Sequence, residues 1–117
     1  MVRLPKSIMT RFQRGDVVLV DLGTTAKVRP CVVVSIDGAD SERNMSVVVP
    51  LTTQIRGGAC EVSFDRPRWL TQVSVVNVLG IAGVDNAKVI RWLAPFPDPA
   101  FDAVIDALAR LLGITAQ

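Results

Sequence analysis

Arg29 and Thr52 are the two side chains whose types and positions in this sequence most directly suggest chemistry. Arg29 precedes an apolar run at residues 31–36, and Thr52 follows another apolar run at residues 45–51. If the two runs pair as neighbouring antiparallel strands, the start of the first and the end of the second lie at one edge of the pair. A planar guanidinium with a fixed charge beside a hydroxyl group is suited to binding a phosphate. We therefore expect a phosphate site at this edge, where Pro30 favours an extended backbone at Arg29.

Four further polar residues flank this pair in the sequence. Lys27 and Arg56 lie on the predicted flanking loops and are candidate phosphate contacts. Thr53 and Gln54 follow the strand and are candidates for contacts to base edges or phosphates. Each of the four is equally consistent with an ordinary exposed side chain.

The two central residues also have structural interpretations. Arg29 is consistent with a surface arginine at the rim of the sheet that pairs with Asp16 or Asp37. Thr52 is consistent with a threonine that ends a strand, because β-branched residues favour strands for packing reasons alone. These alternatives stay open at the level of the residues.

The absence of histidine excludes an imidazole base, a Ser–His or Cys–His nucleophile and a His-ligated metal. Cys31 and Cys60 lack the CxxC spacing of a metal or redox site, and we expect buried thiols. Because acidic residues are scattered singly, we expect no metal or other cofactor, and catalysis must depend on Arg, Lys, Thr, Ser, Asp or Glu. Trp69 and Trp92 are candidates for stacking on bases, although tryptophans more often fill a core or an interface.

The length and composition predict one domain with a single core. The chain has 117 residues, half of them hydrophobic, and a net charge of +2. No apolar run approaches the roughly 20 residues of a membrane helix, and the N-terminus lacks the apolar run of a secretory signal. We therefore expect a soluble cytoplasmic protein with no membrane partner, in which residues 1–13 form a flexible arm and residues 14–117 form the domain.

The pattern of apolar runs and turn residues predicts an α+β domain. Predicted strands lie at residues 17–20, 31–36, 45–51, 60–64 and 73–81, with a short helix at 86–90 and an extended segment at 91–96. An amphipathic helix follows, with Asp98 as the N-cap, Pro99 as its first residue and Gly113 as its C-terminal stop. Since the strands precede the one long helix, the sequence indicates a curved antiparallel sheet or a small barrel.

Three motifs in order resemble the PemK/MazF family of toxins from bacterial toxin–antitoxin pairs. They are RGDVVLVDL from residue 14, VRPCVVVS from residue 28 and VVVPLTTQ from residue 47, followed by the amphipathic helix. The resemblance spans about residues 12–113. A single one of these motifs is common by chance, whereas three in this order form a specific pattern.

The resemblance implies an SH3-like antiparallel β-barrel of CcdB/PemK type with a C-terminal helix, and a homodimer. It also implies metal-independent cleavage of single-stranded RNA, in which the substrate's 2′-hydroxyl attacks the adjacent phosphate. The products would carry a 2′,3′-cyclic phosphate and a 5′-hydroxyl, and the family's catalytic arginine and threonine would be Arg29 and Thr52. A cognate antitoxin is the implied protein partner.

The sequence departs from the family pattern in two places. Family members commonly carry an acidic-Gln-Ile-Arg-Thr run where residues 79–83 read LGIAG, so polar and cationic groups are missing there. The loop at residues 22–28 is shorter than in many members. These departures keep two rival functions open, namely a non-catalytic toxin of the same fold that inhibits a protein such as DNA gyrase, and an RNA- or DNA-binding module.

Overall fold

The computed structural model describes residues 12–23, 27–39 and 43–114, which form an antiparallel sheet and one α-helix. The strands are β1 (Asp16–Asp21), β2 (Val28–Val33), β3 (Met45–Thr52), β4 (Glu61–Ser63), β5 (Val75–Asn77), β6 (Ala82–Asp85) and β7 (Val89–Pro95). Helix α1 spans Asp98–Leu111. Two short 3-10 helices, Val78–Gly80 and Asn86–Lys88, precede β6 and β7.

The sheet has the strand order β4-β5-β3-β2-β1-β7, and β6 also pairs with β3. Strand β3 is therefore the central strand of the sheet, because it pairs with β2 along one edge and with β6 and then β5 along the other. The predicted α+β class and antiparallel sheet with a C-terminal helix are confirmed. Within the described residues, β4 and β7 remain at opposite ends of the strand order, so the sheet is not closed into a barrel.

The central strands bury both of their faces, which explains their nearly continuous valine runs. Val32 and Val49, a cross-strand pair, lie in a core cluster beneath α1, which we call the inner cluster. Cys31, Val33 and Val48 lie in a second cluster on the opposite face, which we call the outer face. Because side chains alternate across a strand, odd-numbered residues of β2 and even-numbered residues of β3 share the outer face.

Helix α1 packs Val104, Ala107 and Leu108 against the inner cluster. The sequence predicted Asp98 as the N-cap, which is wrong by one residue, because Pro97 occupies that position and Asp98 is the first helical residue. The other end agrees with the prediction and forms a Schellman motif. Its glycine has a φ of 70°, and the two amides that follow the helix donate to carbonyls of the last turn, Gly113 N to Arg110 O at 3.2 Å and Ile114 N to Ala109 O at 2.8 Å. In the part of the chain that the structure describes, no helix is long and apolar enough to cross a bilayer.

The segment predicted as one strand at residues 73–81 is divided into two strands. β5 pairs with the end of β3, the Val78–Gly80 3-10 helix turns the chain, and β6 then pairs with the beginning of β3. Asn77 makes this turn, because its side-chain oxygen accepts a hydrogen bond from Leu79 N at 3.2 Å. The predicted short helix at 86–90 is the 3-10 helix Asn86–Lys88, and the extended segment that follows is β7.

The Arg14-Gly15-Asp16 motif joins the two ends of the domain. Gly15 has a φ of 87°, donates its N–H to Val33 O at 2.9 Å and accepts from Phe96 N at 2.8 Å. The buried Asp16 carboxylate accepts from Gln13 N at 2.9 Å.

Arg14 anchors this motif to α1 and to the end of β2. Its guanidinium lies 5.0 Å from the centre of the Phe101 ring and donates a hydrogen bond to Val34 O. Part of the predicted N-terminal arm packs on the domain, since Phe12 is buried in the cluster on the outer face. Residues 1–11 of that arm lie outside the described residues.

Candidate phosphate-binding site

The register of β2 and β3 relates Arg29 to Thr52, each of which lies two residues beyond the last pair of the ladder. The ladder pairs Cys31 with Pro50, Val32 with Val49 and Val33 with Val48, so each pair of numbers sums to 81. The ladder ends at Cys31 and Pro50, and continued by two residues within the same two strands this register would set Arg29 opposite Thr52 (29 + 52 = 81). Directly opposite residues in antiparallel strands have Cβ atoms about 4.5–5.5 Å apart.

Both side chains of this pair emerge on the outer face. Side chains two or four residues apart in a strand point to the same face, so Arg29 shares the face of Cys31 and Thr52 shares that of Val48. Cys31 and Val48 are both buried on the outer face. Unlike those residues, Arg29 is exposed and Thr52 is half-buried. The pair therefore combines a fixed cation and a hydroxyl group at a position that an external phosphate can reach.

The Thr52 hydroxyl is oriented by its own backbone. Thr52 Oγ1 accepts a hydrogen bond from Gln54 N at 3.1 Å, in a turn that ends the strand. A hydroxyl that accepts in this way still has one proton to donate. Because threonine is β-branched and stiff at χ1, the donor has a fixed direction. The group can therefore serve as a preorganised hydrogen-bond donor to a phosphate oxygen.

The carboxylates that were alternative partners of Arg29 lie near the other end of β2. The β1–β2 register, in which Val17 pairs with Val32, sets Asp16 opposite Val33, which is four residues from Arg29. At a rise of about 3.3 Å per residue, this is about 13 Å of strand. Asp37 accepts a hydrogen bond from Arg14 N at 2.8 Å at that same end. Both carboxylates therefore lie nearer the end of β2 opposite to the one that carries Arg29.

Cys31 lies beneath the pair as a buried, protonated thiol. Burial raises its pKa from 9.0 to about 12, although the positive charge of Arg29 acts in the opposite direction. Its Sγ donates a weak hydrogen bond to Arg29 O at 3.6 Å. The thiolate, which is the reactive form, is therefore scarce near neutral pH, and the residue acts as a small apolar side chain.

We expect Cys31 in the folded protein to resist alkylation by iodoacetamide at pH 8, whereas the half-buried Cys60 is labelled more readily. The raised pKa of Cys31 in the folded state also makes the stability of the protein depend on pH. Its stabilising effect is complete below pH 9 and is lost as pH rises towards 12, where the unfolded chain ionises first. Mass spectrometry of peptides labelled at each pH checks both statements, and rapid labelling of Cys31 at pH 8 would contradict them.

The four flanking candidates all lie at the same end of the β2–β3 pair and are all exposed. Lys27 enters β2 with a φ of 64° and donates its backbone N–H to Gly23 O at 2.9 Å. Arg56 lies in a turn held by the Glu61 carboxylate, which accepts from Arg56 N at 2.9 Å and from Gly57 N at 2.8 Å. The exposed Thr53 and Gln54 connect this turn to the strand.

The two tryptophans have different environments. Trp69 is half-buried and packs against the inner cluster, as a core side chain does. Trp92 lies on the end strand β7, opposite Val18, and is 39% exposed. β1 separates Trp92 from β2, whereas the loop that carries Trp69 leads into β5, whose Val75 pairs with Thr52.

A close contact between Gly80 and Pro50 borders the site, and no sequence pattern predicted it. A Cβ atom at Gly80 would lie 2.6 Å from Pro50 Cγ and 2.9 Å from Pro50 Cδ. Pro50 is two residues from Thr52 and opposite Cys31. The glycine in the divergent LGIAG segment is therefore required for the 3-10 helix to pack on the strand that carries Thr52.

Replacing Gly80 with alanine is expected to lower the free energy of unfolding by about 1–3 kcal/mol, because a proline ring cannot yield as a flexible side chain does. Gly83→Ala is the matched control, since its Cβ would meet only Met45 Cε at 3.8 Å, an ordinary contact. Urea denaturation of both variants measures the difference. Equal stability of the two variants would show that the contact at Gly80 carries no cost.

Comparison with solved structures gives the fold independently of these arguments. The chain is similar to a mycobacterial endoribonuclease solved in complex with its cognate antitoxin, with a TM-score of 0.78 and 24% identity over 91% of this chain and 99% of that chain. It is also similar to the MazE–MazF complex of Deinococcus radiodurans, with a TM-score of 0.75 and 23% identity over 92% of this chain and 100% of that chain. The toxin MazF-mt6 of Mycobacterium tuberculosis gives a TM-score of 0.73 and 22% identity over 84% and 96% of the two chains.

At these identities the structural comparisons establish the fold alone. No curated protein sequence matches the chain significantly. The family model for the PemK-like, MazF-like toxin of type II toxin–antitoxin systems matches residues 13–112, which is most of the chain. The sequence motifs, the open seven-stranded sheet with its C-terminal helix and this match agree, and the chain belongs to the PemK/MazF family of toxins.

Proposed function

We propose that this toxin is a metal-independent endoribonuclease that cleaves single-stranded RNA, such as mRNA, and that Arg29 and Thr52 are its catalytic residues. The observation that supports the proposal is the β2–β3 register, which, continued two residues past the Cys31–Pro50 pair, sets Arg29 opposite Thr52, with the guanidinium exposed and the hydroxyl oriented by Gln54 N. The name of the mycobacterial relative, an endoribonuclease, and the family match support the same activity.

The reaction divides into one bond formed and one bond broken at phosphorus. The substrate's 2′-oxygen attacks the adjacent phosphorus and loses its proton to solvent, while the bond from phosphorus to the 5′-oxygen breaks and that oxygen takes a proton from solvent. The products are a 2′,3′-cyclic phosphate and a 5′-hydroxyl. The nucleophile belongs to the RNA, so the protein has to supply only positioning and charge stabilisation.

Arg29 suits this role because negative charge grows on the phosphate oxygens in the transition state. A guanidinium donates two parallel hydrogen bonds to such oxygens and keeps its positive charge at every physiological pH. The Thr52 hydroxyl donates to a second, non-bridging oxygen. The guanidinium supplies the positive charge that a metal ion supplies in other nucleases, and the site can therefore act without one.

The flanking residues supply the binding surface in this proposal. Lys27 and Arg56 contact phosphates on either side of the cleaved bond, and Thr53 and Gln54 contact bases or phosphates beside it. All four are exposed at the same end of β2 and β3 as the catalytic pair. Cationic contacts to phosphates give affinity without sequence selectivity, so these lysine and arginine contacts make binding sensitive to salt.

The protein partners follow from the family and from the relatives. The solved MazF structures include complexes with MazE and with a cognate antitoxin. We infer that a cognate antitoxin inhibits this toxin in the cytoplasm, and that two copies of the toxin form a homodimer. Sedimentation of a monomer at micromolar concentration would contradict the dimer.

The decisive test is cleavage of mixed-sequence single-stranded RNA by the purified protein in the presence of EDTA. We expect discrete fragments whose 3′ ends carry a cyclic phosphate and whose 5′ ends carry a hydroxyl. The EDTA distinguishes this activity from that of a contaminating metal-dependent nuclease, because such enzymes commonly lose activity when their metal is chelated.

Failure of the folded protein to cleave any RNA would overturn the proposed activity. Inhibition of DNA gyrase, measured by supercoiling of plasmid DNA, would then identify the rival non-catalytic toxin. Tight RNA binding without either activity would identify a binding module.

A further inference from the structure

Asn77 shares the outer face with the catalytic pair, although its sequence neighbours made it look like part of an apolar strand. The β3–β5 ladder pairs Leu51 with Val76 and Thr52 with Val75, so each pair of numbers sums to 127. Val76 lies in the inner cluster, and alternation therefore puts Asn77 on the outer face. Continued by two residues from the Thr52 pair, the register sets Asn77 opposite Pro50, diagonal to Thr52.

The side-chain amide of Asn77 uses its oxygen within the protein, whereas its NH₂ group is available as a donor. Its Oδ1 accepts from Leu79 N at 3.2 Å and so caps the Val78–Gly80 3-10 helix. The Leu79 N–H identifies the accepting atom as oxygen, so the remaining atom is the NH₂ donor. Nδ2 lies 3.5 Å from where a Gly80 Cβ would be, and among the described residues it makes no hydrogen bond.

The 3-10 helix Asn86–Lys88 provides an internal comparison. Asp85 caps the Asn86–Lys88 helix in the same way, with its carboxylate accepting from Ala87 N at 2.9 Å. Both caps need only a side-chain oxygen, and aspartate serves as well as asparagine for that purpose. Asp85 pairs with Met45, seven residues along β3 from Thr52, which is about 23 Å of strand.

The two caps therefore differ in a way that capping does not require. The chain uses a carboxylate at the cap far from Thr52 and a neutral amide at the cap diagonal to it. The Glu61 carboxylate, opposite Asn77 on β4, is held by the backbone N–H groups of Arg56 and Gly57. A carboxylate at residue 77 would offer Arg29 a competing anion and would repel a phosphate. An amide avoids that charge and adds a donor that the cap does not use.

We propose that Asn77 is an RNA-contacting residue of this site, whose Nδ2 group donates a hydrogen bond to the nucleotide next to the cleaved phosphate. The inference rests on the proposed ribonuclease function and extends it. Asn77 belongs to substrate binding rather than to the bond-making step. Its contribution appears in affinity and in KM for RNA, and the turnover number changes little.

Two substitutions separate the amide from the cap. In Asn77→Ser the hydroxyl accepts a hydrogen bond from Leu79 N as Oδ1 does in the wild type, but the NH₂ donor is removed. In Asn77→Asp the cap is kept and a negative charge is added. Asn77→Ala removes both the cap and the donor, and its thermal midpoint calibrates what the cap is worth.

Binding is measured by fluorescence anisotropy with a labelled 2′-O-methyl RNA pool of about twelve nucleotides, which no 2′-hydroxyl chemistry can cleave. We expect Asn77→Ser to weaken binding about five- to tenfold without the loss of thermal stability seen in Asn77→Ala. The Asp variant should bind more weakly still, and its excess defect should shrink between about 0.05 and 0.5 M salt as repulsion is screened. In cleavage assays KM should rise similarly, and kcat should change less than about threefold.

Asp85→Asn is the matched control, since it makes the reverse exchange at the remote cap, and its RNA affinity should remain within about twofold of wild type. Wild-type affinity in Asn77→Ser would overturn the inference and leave the proposed function intact. A loss of affinity accompanied by the stability loss of Asn77→Ala would also overturn it. Absence of cleavage by the wild type would refute the ribonuclease instead, while a binding defect in Asn77→Ser would still support the contact.

Discussion

Replacing Arg29 with alanine is expected to lower the rate of RNA cleavage by about 10³-fold, because the transition state loses its preorganised positive charge. The loss should fall mainly on kcat, since the guanidinium meets more negative charge in the transition state than in bound RNA. Single-turnover cleavage in EDTA measures it. Arg29→Lys should recover only part of the rate, because an ammonium group cannot reproduce the two parallel hydrogen bonds.

Arg91→Ala is the matched control for Arg29. Arg91 is also an exposed arginine within a strand. It lies on β7, opposite Leu19 of β1, and is outside the proposed site. Its cleavage rate should equal that of wild type. Since Arg29 is exposed, its removal should alter the free energy of unfolding by less than about 1 kcal/mol. Full activity in a folded Arg29→Ala protein would refute the proposed role.

Replacing Thr52 with valine is expected to lower kcat by about 10²-fold, the typical effect of removing one donor aimed at a developing oxyanion. Valine preserves the branched shape of the side chain but has no hydroxyl to accept from Gln54 N or to donate to phosphate. Rate measurements over a range of RNA concentrations separate this effect from a change in KM.

Thr52→Ser tests whether the hydroxyl itself is responsible. Serine retains both the accepting and the donating functions, although its side chain has more rotational freedom. We expect activity within about tenfold of wild type. Equal losses in the valine and serine variants would indicate that the methyl group or the end of β3 matters, and not the hydroxyl.

The sequence alone led to the prediction that Arg29 and Thr52 form a site, and their role stays a prediction. Arg29 and Thr52 stand at the ends of valine-rich runs, and antiparallel pairing of neighbouring strands brings such ends together without further information. The α+β class followed from the same runs, and the stop at Gly113 followed from local capping chemistry. Closure of the sheet into a barrel could not be predicted, because it depends on whether the two outermost strands, β4 and β7, pair with each other.

Asn77 and Gly80 were missed for a different reason. The run at residues 73–81 is apolar enough to be one strand, and only a side-chain cap at Asn77 divides it. The contact of Gly80 with Pro50 joins residues 30 positions apart in the chain (80 − 50 = 30). No local pattern contains a contact of that kind, since it arises from the shared pairing of β5 and β6 with β3.

The pairing of the first strand with the last determines when this toxin can exist as a folded molecule. β1 lies between β2 and β7, and Asp16 pairs with Pro95, 79 residues later in the chain (95 − 16 = 79). A ribosome delivers Arg29 and Thr52 long before it delivers the strand that completes β1, and contacts of such long separation form slowly. Synthesis therefore produces the proposed catalytic residues first and the strand that completes the sheet last, so for an interval the growing chain carries them without the finished fold.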